Sequence, residues 1–265
     1  MTNTGTGDYE EVYSIGNPGF GMSALAYPGV PLPKARRDYD ALELSARRLM
    51  SGGWALNASY TYSRLYGNYS GLSQSDENGR VVPYTGRGYD NPLMLFNEKG
   101  QPVYGPLATD RPHQVKVTGT YAAPFRINAS LFQTLASGLP VTRTVAVTMP
   151  YFPVMYQGRM SDDRTPVLSQ TDIFVQKEFS FRDRQRLAFG ITVTNLFNQA
   201  TVISKSSSES DDGVALTLNE ADFYAGRLDF RQMMADQKIP TSPLFMKADG
   251  FLAPRSIRLM LKWTF

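Results

Sequence analysis

The sequence predicts an all-β fold: about eight antiparallel strands standing in a membrane as part of a β-barrel wall. Three observations predict it. Apolar and polar residues alternate with a period of two over most of the chain, short and long connections alternate between those segments, and aromatic residues gather at the segment ends. A period of two belongs to strands. Long structureless connections are uncommon in compact domains. A sheet crossing a membrane accounts for them, with tight turns at one rim and large loops at the other.

The elements follow in chain order. "YEEVYSI" gives a weak strand near 9–15. "YDALELSARRLM" sets Leu42, Leu44 and Ala46 against Glu43, Ser45 and Arg47, a strand near 38–49. "WALNASYTYS" sets Trp54, Leu56, Ala58, Tyr60 and Tyr62 against Asn57, Ser59 and Thr61, a strand near 54–66. "HQVKVTGTY" (113–122) alternates Val115, Val117 and Tyr121 with Gln114, Lys116 and Thr118, and "RINASL" (126–137) alternates Ile127, Ala129 and Leu131 with Asn128 and Ser130. "QTDIFVQKEFSF" (167–181) sets Ile173, Val175, Phe179 and Phe181 against Gln170, Asp172, Gln176 and Glu178, with Phe174 out of pattern. "RLAFGITVTN" (186–198) alternates Leu187, Phe189, Ile191 and Val193 with Gly190, Thr192 and Thr194, and "SIRLMLKWTF" (255–265) alternates to its last residue. Short connections sit at "MSGG", "AAPF" and "RDRQ"; long loops are expected at 67–112, 138–166 and 199–254. Asn219 to Met234 has room for a short helix inside a loop.

Periodicity alone does not separate a soluble sandwich, apolar side inward, from a membrane barrel, apolar side outward. Aromatic placement favours the barrel. Strand ends at the short-turn rim carry Trp54, Tyr121, Phe179, Phe181, Trp263 and Phe265, and the opposite ends carry Tyr39, Tyr60, Tyr62 and Phe197. Two aromatic belts separated by Leu, Val, Ile and Ala form the girdle of a membrane barrel. A sandwich scatters its aromatics through the core.

Composition narrows the chemistry. The 265 residues carry a net charge of +3, no Cys and one His. Thiolate chemistry, disulfides and multi-histidine metal sites are thereby excluded, and no Lys/Arg block marks a nucleic-acid footprint. No stretch reaches the ~20 apolar residues of a membrane-spanning helix. The N-terminal segment has no basic region followed by an apolar core.

"RRDYDALELSARRLMSGGWALNASYTYSRLYGNYSGL", "ATDRPHQVKVTGTYAAPF", "ASGLPVT", "RTPVLSQTDIFVQKEF" and "VTNLFNQAT" resemble the C-terminal barrel strands of TonB-dependent outer-membrane receptors. The match is nearest to the Oar-like group, whose members carry a carboxypeptidase-regulatory-like domain. The resemblance implies the bacterial outer membrane, short periplasmic turns and long extracellular loops. It also implies an incomplete, curved open sheet cut from a 22-stranded, plugged barrel, with plug domain and signal peptide expected to lie outside this chain. The implied partners are outer-membrane lipid and lipopolysaccharide, the barrel-assembly machinery, and TonB only through the missing N-terminal part. Ile257, Leu259, Leu261, Trp263 and Phe265 resemble the terminal signal read by that machinery. A small self-contained barrel with a structural or adhesive role is the alternative. Its narrow interior would have to pair Glu43, Arg47, Lys116, Gln170, Asp172, Glu178, Arg258 and Lys262, which favours the open sheet.

No catalytic, cofactor or metal site is expected, and the transported substrate is not legible. His113 in "DRPH" stands beside Asp110 and Arg111 without a nucleophile in pattern, so an outer-membrane lipid-modifying enzyme is disfavoured. "SQSDENG" and "SESDDG" cluster carboxylates but lack the spacing of a calcium loop, and their residues also suit turns. Aromatics in "GYDNPLMLFNEKGQPVYGP" and "MPYFPVMYQ" suit either a ligand mouth or loop packing. Arg36, Arg37 and Arg111 suit either lipopolysaccharide phosphates or a solvated rim.

Overall fold

The computed structural model describes residues 2–3, 9–10, 36–68, 96–148, 154–182, 185–211 and 213–265. Strands β1 (Thr2–Asn3) and β2 (Tyr9–Glu10) pair with each other and not with the main sheet. Tyr9 and Glu10 therefore do not extend that sheet as the weak 9–15 strand would, and residues 11–15 lie outside the described residues.

The main sheet contains β3 (Arg37–Ser51), β4 (Trp54–Gly67), the two-residue β5 (Gly105–Pro106), β6 (His113–Ala123), β7 (Ile127–Ala136), β8 (Leu168–Arg182), β9 (Gln185–Thr194) and, after β10 (Val202–Lys205) and β11 (Ala248–Phe251), β12 (Ser256–Thr264). Its order is β12-β9-β8-β7-β6-β4-β3, an antiparallel meander in which each long strand pairs with the next long strand in sequence. The sheet is open and curved, and β3 is not paired to β12. β10 and β11 form a separate ribbon.

Register converts the period of two into faces. Leu56, Gly119, Leu131, Ile173, Val193 and Ile257 are successive cross-strand partners on one side. Thr120, Ser130, Phe174, Thr192 and Arg258 are partners on the other. Phe174, the exception in its strand, now has a cause. A Cβ on Gly190 would lie 3.2 Å from the Phe174 ring and 3.0 Å from Met260 Cε. The two side chains fill the space above a residue with none, as aromatics do beside strand glycines.

The turns differ in how they are built. Between β3 and β4, Gly52 and Gly53 have φ of 60° and 80°, the left-handed pair a two-residue hairpin needs. Between β6 and β7 the same region is occupied by Phe125 and Arg126, with φ of 62° and 59°, an uncommon placement for bulky residues.

The three long connections are not structureless over their described residues. Phe96, Val103, Val145, Val147, Val154, Met155, Tyr156, Leu216, Phe223 and Phe230 form one buried cluster drawn from all three. Backbone bonds knit them: Met155 N–H donates to the Phe96 carbonyl at 2.8 Å, and Leu216 N–H to that of Ala146 at 2.8 Å. Two short helices lie where the sequence left room for one. Asn219 caps α1 (Glu220–Tyr224) by accepting from Asp222 N–H, and Asp229 caps α2 (Phe230–Asp236) by accepting from Gln232 N–H. The buried core of this chain thus lies in a cap at the long-loop rim rather than on a face of the sheet.

Candidate membrane wall and outer cap

Among the described residues, most of the apolar face of the sheet stays exposed; Val193, near the long-loop end of β9, is buried. Leu42, Leu44, Leu259, Leu261 and Trp263 are each more than half exposed. Along β3 this face reads Asp40, Leu42, Leu44, Ala46, Arg48. At ~3.4 Å per residue and a tilt of about 40°, the span from Asp40 to Arg48 measures about 21 Å along the membrane normal. That is close to the ~25 Å apolar band of outer-membrane barrels. Among the described residues no helix is long and apolar enough to cross a membrane, which says nothing of strands.

The aromatics divide by register. Trp54 and Tyr121 are direct partners on the apolar face at the short-turn rim, and Trp263 pairs with Leu187, itself the partner of Phe179. Phe181 stands exposed at the register shift between paired Ser180 and Arg182, and the terminal Phe265 stands exposed one residue beyond the last paired residue of β12. At the opposite rim, Tyr60 and Tyr62 lie on the apolar face and flank the His113 ring at 6.2 and 5.3 Å between centroids. Tyr39 does not join them. Its partner is Leu65, and the unbroken alternation through Glu43 puts it on the polar face, so it cannot contribute to a lipid-side belt. Phe197 lies past the end of β9 in the turn after Asn195, exposed. The remaining alternation has direct partners: Ile257 with Val193, Leu259 with Ile191, Leu261 with Phe189.

Where strands leave the wall, polar clips tie them to the cap. The Asp110 carboxylate is buried; it accepts from Arg164 Nη2 at 2.6 Å and from Leu65 N–H at 2.7 Å. Arg164 Nη1 reaches the Asp110 carbonyl at 2.8 Å and that of Gly138 at 3.1 Å. A Cβ on Gly138 would lie 1.6 Å from the Thr165 carbonyl oxygen, so these backbones approach as only glycine allows. Thr165 Oγ1 accepts from Leu139 N–H at 2.9 Å. Asn195, buried with φ of 52°, donates from Nδ2 to the carbonyls of Gln199 and Ala253 at 2.9 and 2.8 Å. Its N–H donates to Asp172 at 2.8 Å. "ATDRPH", "ASGLP", "RTPVL" and "TNLFNQ" are therefore the joints between wall and cap. On the polar face, Glu178 lies 3.6 Å from Arg186 and 4.0 Å from Arg126.

The remaining candidates are held by structural partners. His113 Nδ1 shares a hydrogen bond of 2.9 Å with the Tyr60 hydroxyl, and its N–H donates to Ser137 Oγ at 3.1 Å. Arg111 donates to the Ser137 carbonyl; burial lowers its pKa, helped by the Arg164 charge. Arg36 pairs with Asp38 at 2.6 Å; Tyr104 donates to the same carboxylate at 2.9 Å, and that bond holds the phenol above its usual pKa. In "SESDDG", Glu209 accepts from the Tyr156 hydroxyl, and Ser210 Oγ accepts from Ala146 N–H at 3.1 Å. Burial, then Glu209, pushes the Tyr156 phenol up to about 12. Arg143 pairs with Asp162 at 2.7 Å, a contact that raises its own pKa. Among the described residues, no three His, Asp or Glu side chains converge as a metal site; "SQSDENG" lies outside them. Phe96, Met155 and Tyr156 pack the cap core rather than line a mouth.

The outer membrane beta barrel domain family matches residues 29–149, which include β3, β4, β6 and β7. The chain is 27% identical, over 97% of its length, to the TonB-dependent transporter Oar of Myxococcus xanthus. The antiparallel wall is thus similar to an outer membrane beta barrel domain over residues 29–149, and the chain to a TonB-dependent transporter over nearly its whole length. It spans about a quarter (25%) of that relative's length. No solved structure matches it. The wall belongs in the bacterial outer membrane, which fits its exposed apolar face.

Proposed function

We propose that this chain supplies the closing wall and part of the extracellular cap of an Oar-like TonB-dependent receptor. The observation that carries the reading is a continuous apolar face from β3 to β12, ending at two strands that each keep one unpaired edge among the described residues. Unpaired backbone groups in lipid are costly, so each edge calls for a further strand. The relative's greater length has room for them.

On this reading the chain catalyses nothing. The cap meets the substrate, while the plug and the TonB-contacting segment come from the rest of the receptor. The polar face of the sheet, with Lys116, Glu178, Arg258 and Lys262, looks onto that plug. The barrel-assembly machinery reads Ile257, Leu259, Leu261, Trp263 and Phe265. Arg36 and Arg37, at the long-loop end of β3, are the rim bases that meet lipopolysaccharide phosphates, since Arg111 is turned into the scaffold.

The test is refolding into detergent, scored by the heat-modifiable band of a closed barrel. The chain alone is expected to aggregate through its open edges. Supplying the receptor's preceding strands on a second chain is expected to give the band. A heat-modifiable monomer from the chain alone would replace this reading with the small closed barrel.

A further inference from the structure

The apolar face is not smooth. A hollow of about 380 Å³ opens in it, lined by Trp54, Leu56, Tyr121, Leu131, Ile173 and Val175 and floored by Gly119. The cause is a missing side chain. Gly119 stands in the row of Leu56, Leu131 and Ile173, and a Cβ built on it would meet nothing within 4 Å. The volume falls at the small end of the range for ligand pockets, about 300–1,000 Å³.

The position of the hollow narrows what fills it. It lies in the half of the wall nearer the short turns, with Trp54 and Tyr121 toward that rim. The charged side chains of the apolar face in this half are Arg48 and Lys177, both cations, among the described residues. They stand on the two flanks of the hollow. Arg48 is the partner of Leu56, and its guanidinium bends toward the rim, 4.0 Å over the Trp54 ring. Lys177 follows Val175 on the same face; its ammonium lies 5.6 Å from the Phe179 ring and donates to the Phe125 carbonyl. Both extend toward the interface, as lysine and arginine do at membrane surfaces. At the other rim this face carries Asp38 and Asp40 with Arg64, so positive charge without an acid is confined to the short-turn half.

We propose that the hollow is a seat for one acyl chain of an anionic glycerophospholipid of the periplasmic leaflet, its headgroup phosphate lying between Arg48 and Lys177. The proposal rests on the wall reading, which makes the short-turn rim periplasmic. Hydrocarbon occupies the space above Gly119 because nothing in the hollow rewards water. The cations select the headgroup, since each basic residue near an anionic surface adds about fivefold in affinity.

The chain's two tryptophans give a local reporter. The chain carrying Trp263→Phe, refolded with the receptor's preceding strands supplied on a second, tryptophan-free chain so that Trp54 alone emits, is placed in lipid nanodiscs. These contain either phosphatidylglycerol or phosphatidylethanolamine brominated close to the headgroup. Phosphatidylglycerol is expected to quench Trp54 at a severalfold lower mole fraction. Arg48→Gln should reduce that preference about fivefold. Gly119→Leu, which has room for its side chain, should abolish quenching from within the hollow while the chain stays inserted. Equal quenching by both lipids overturns the seat and leaves the wall reading intact. Absence of quenching by either lipid overturns both.

Discussion

Asp110→Ala tests whether the joints, rather than the cap core alone, hold the cap to the wall. The substitution removes the carboxylate that pairs Arg164 at 2.6 Å and accepts from Leu65 N–H at 2.7 Å. The Asp110 side chain is 1% exposed and that of Arg164 21%, so solvent replaces the lost contacts poorly. Removing one member of a buried pair costs about 3–5 kcal/mol, because the other charge stays uncompensated. The stranded Leu65 N–H belongs within that figure. Asp110→Asn keeps one oxygen for Leu65 but turns its amide NH2 toward the Arg164 guanidinium, so it strands the same charge and its cost falls in the same range, about 3–5 kcal/mol. Hydrogen exchange of the membrane-inserted chain reads the effect as local opening. Peptides covering 105–113 and 138–165 should exchange about a hundredfold to several-thousandfold faster in Asp110→Ala, while peptides from the middle of β7 and β8 hold their rates. Adding Arg164→Met should recover part of the loss, because the buried charge leaves with its partner. Acceleration below about tenfold, or equal acceleration throughout the sheet, would refute the idea that this pair is a joint.

Three further outcomes are expected. Leu44→Arg, exposed at the middle of the Asp40–Arg48 span of the apolar face, should cost about 2–4 kcal/mol in a membrane refolding titration, and Ser45→Arg on the opposite face clearly less. Gly138→Ala, whose Cβ would lie 1.6 Å from the Thr165 carbonyl oxygen, should lower Tm by about 4–10 °C, whereas Gly119→Ala should leave Tm near wild type. Because the folded cap raises the Tyr156 pKa to about 12, the neutral phenol's contribution is fully present below about pH 10 and is lost as pH rises from there through 12, by at most about 3 kcal/mol. Protease cleavage of the cap should therefore accelerate as pH rises from about 10 to 12, and Tyr156→Phe should remove that component.

The wall was legible and the cap was not, for one physical reason. In the wall each residue's face follows from its own position, because the strand period is 2 and the register is continuous. Leu44, Val117 and Ile191 could therefore be placed from local pattern. Tyr39 is an aromatic at a strand end, but the same alternation sets it on the polar face with Glu43, so position at a strand end alone does not make an aromatic part of the belt. The cap carries no period. Phe96, Val154 and Leu216 meet across more than a hundred residues, and nothing local to any of them announces the others. Its joints left faint signals. Asn195 follows a strand with φ of 52°, a conformation Asn tolerates; Gly138 stands just after β7 with Pro140 two residues on, and Thr165 directly precedes Pro166 ahead of β8. The carboxylate of Asp110 and the guanidinium of Arg164 are 54 residues apart, beyond the reach of any motif.

The chain is stabilised by two solvents. In the wall, side chains such as Leu259 and Leu261 stay outside any protein core, so burial within the chain does not hold these strands upright. Their backbone bonds do, because lipid offers no alternative partner for an N–H or C=O. In the cap, Phe223 and Phe230 are fully buried against partners from distant loops, the ordinary hydrophobic solution for a water-facing globule. Neither half can borrow the other's driving force, so the boundary must be held by something indifferent to both. Directional polar contacts meet that requirement. Asp110–Arg164, Asn195 and Thr165 bind backbone rather than surface and sit where strands pass from lipid to water. A carboxylate buried at that level is costly to desolvate, and its geometry compensates by fixing Leu65 on β4 and the segments before β6 and β8 with one pair of side chains. Apolar packing there would be free to slide along the strands, and the cap's position at the end of the sheet would be lost before its fold.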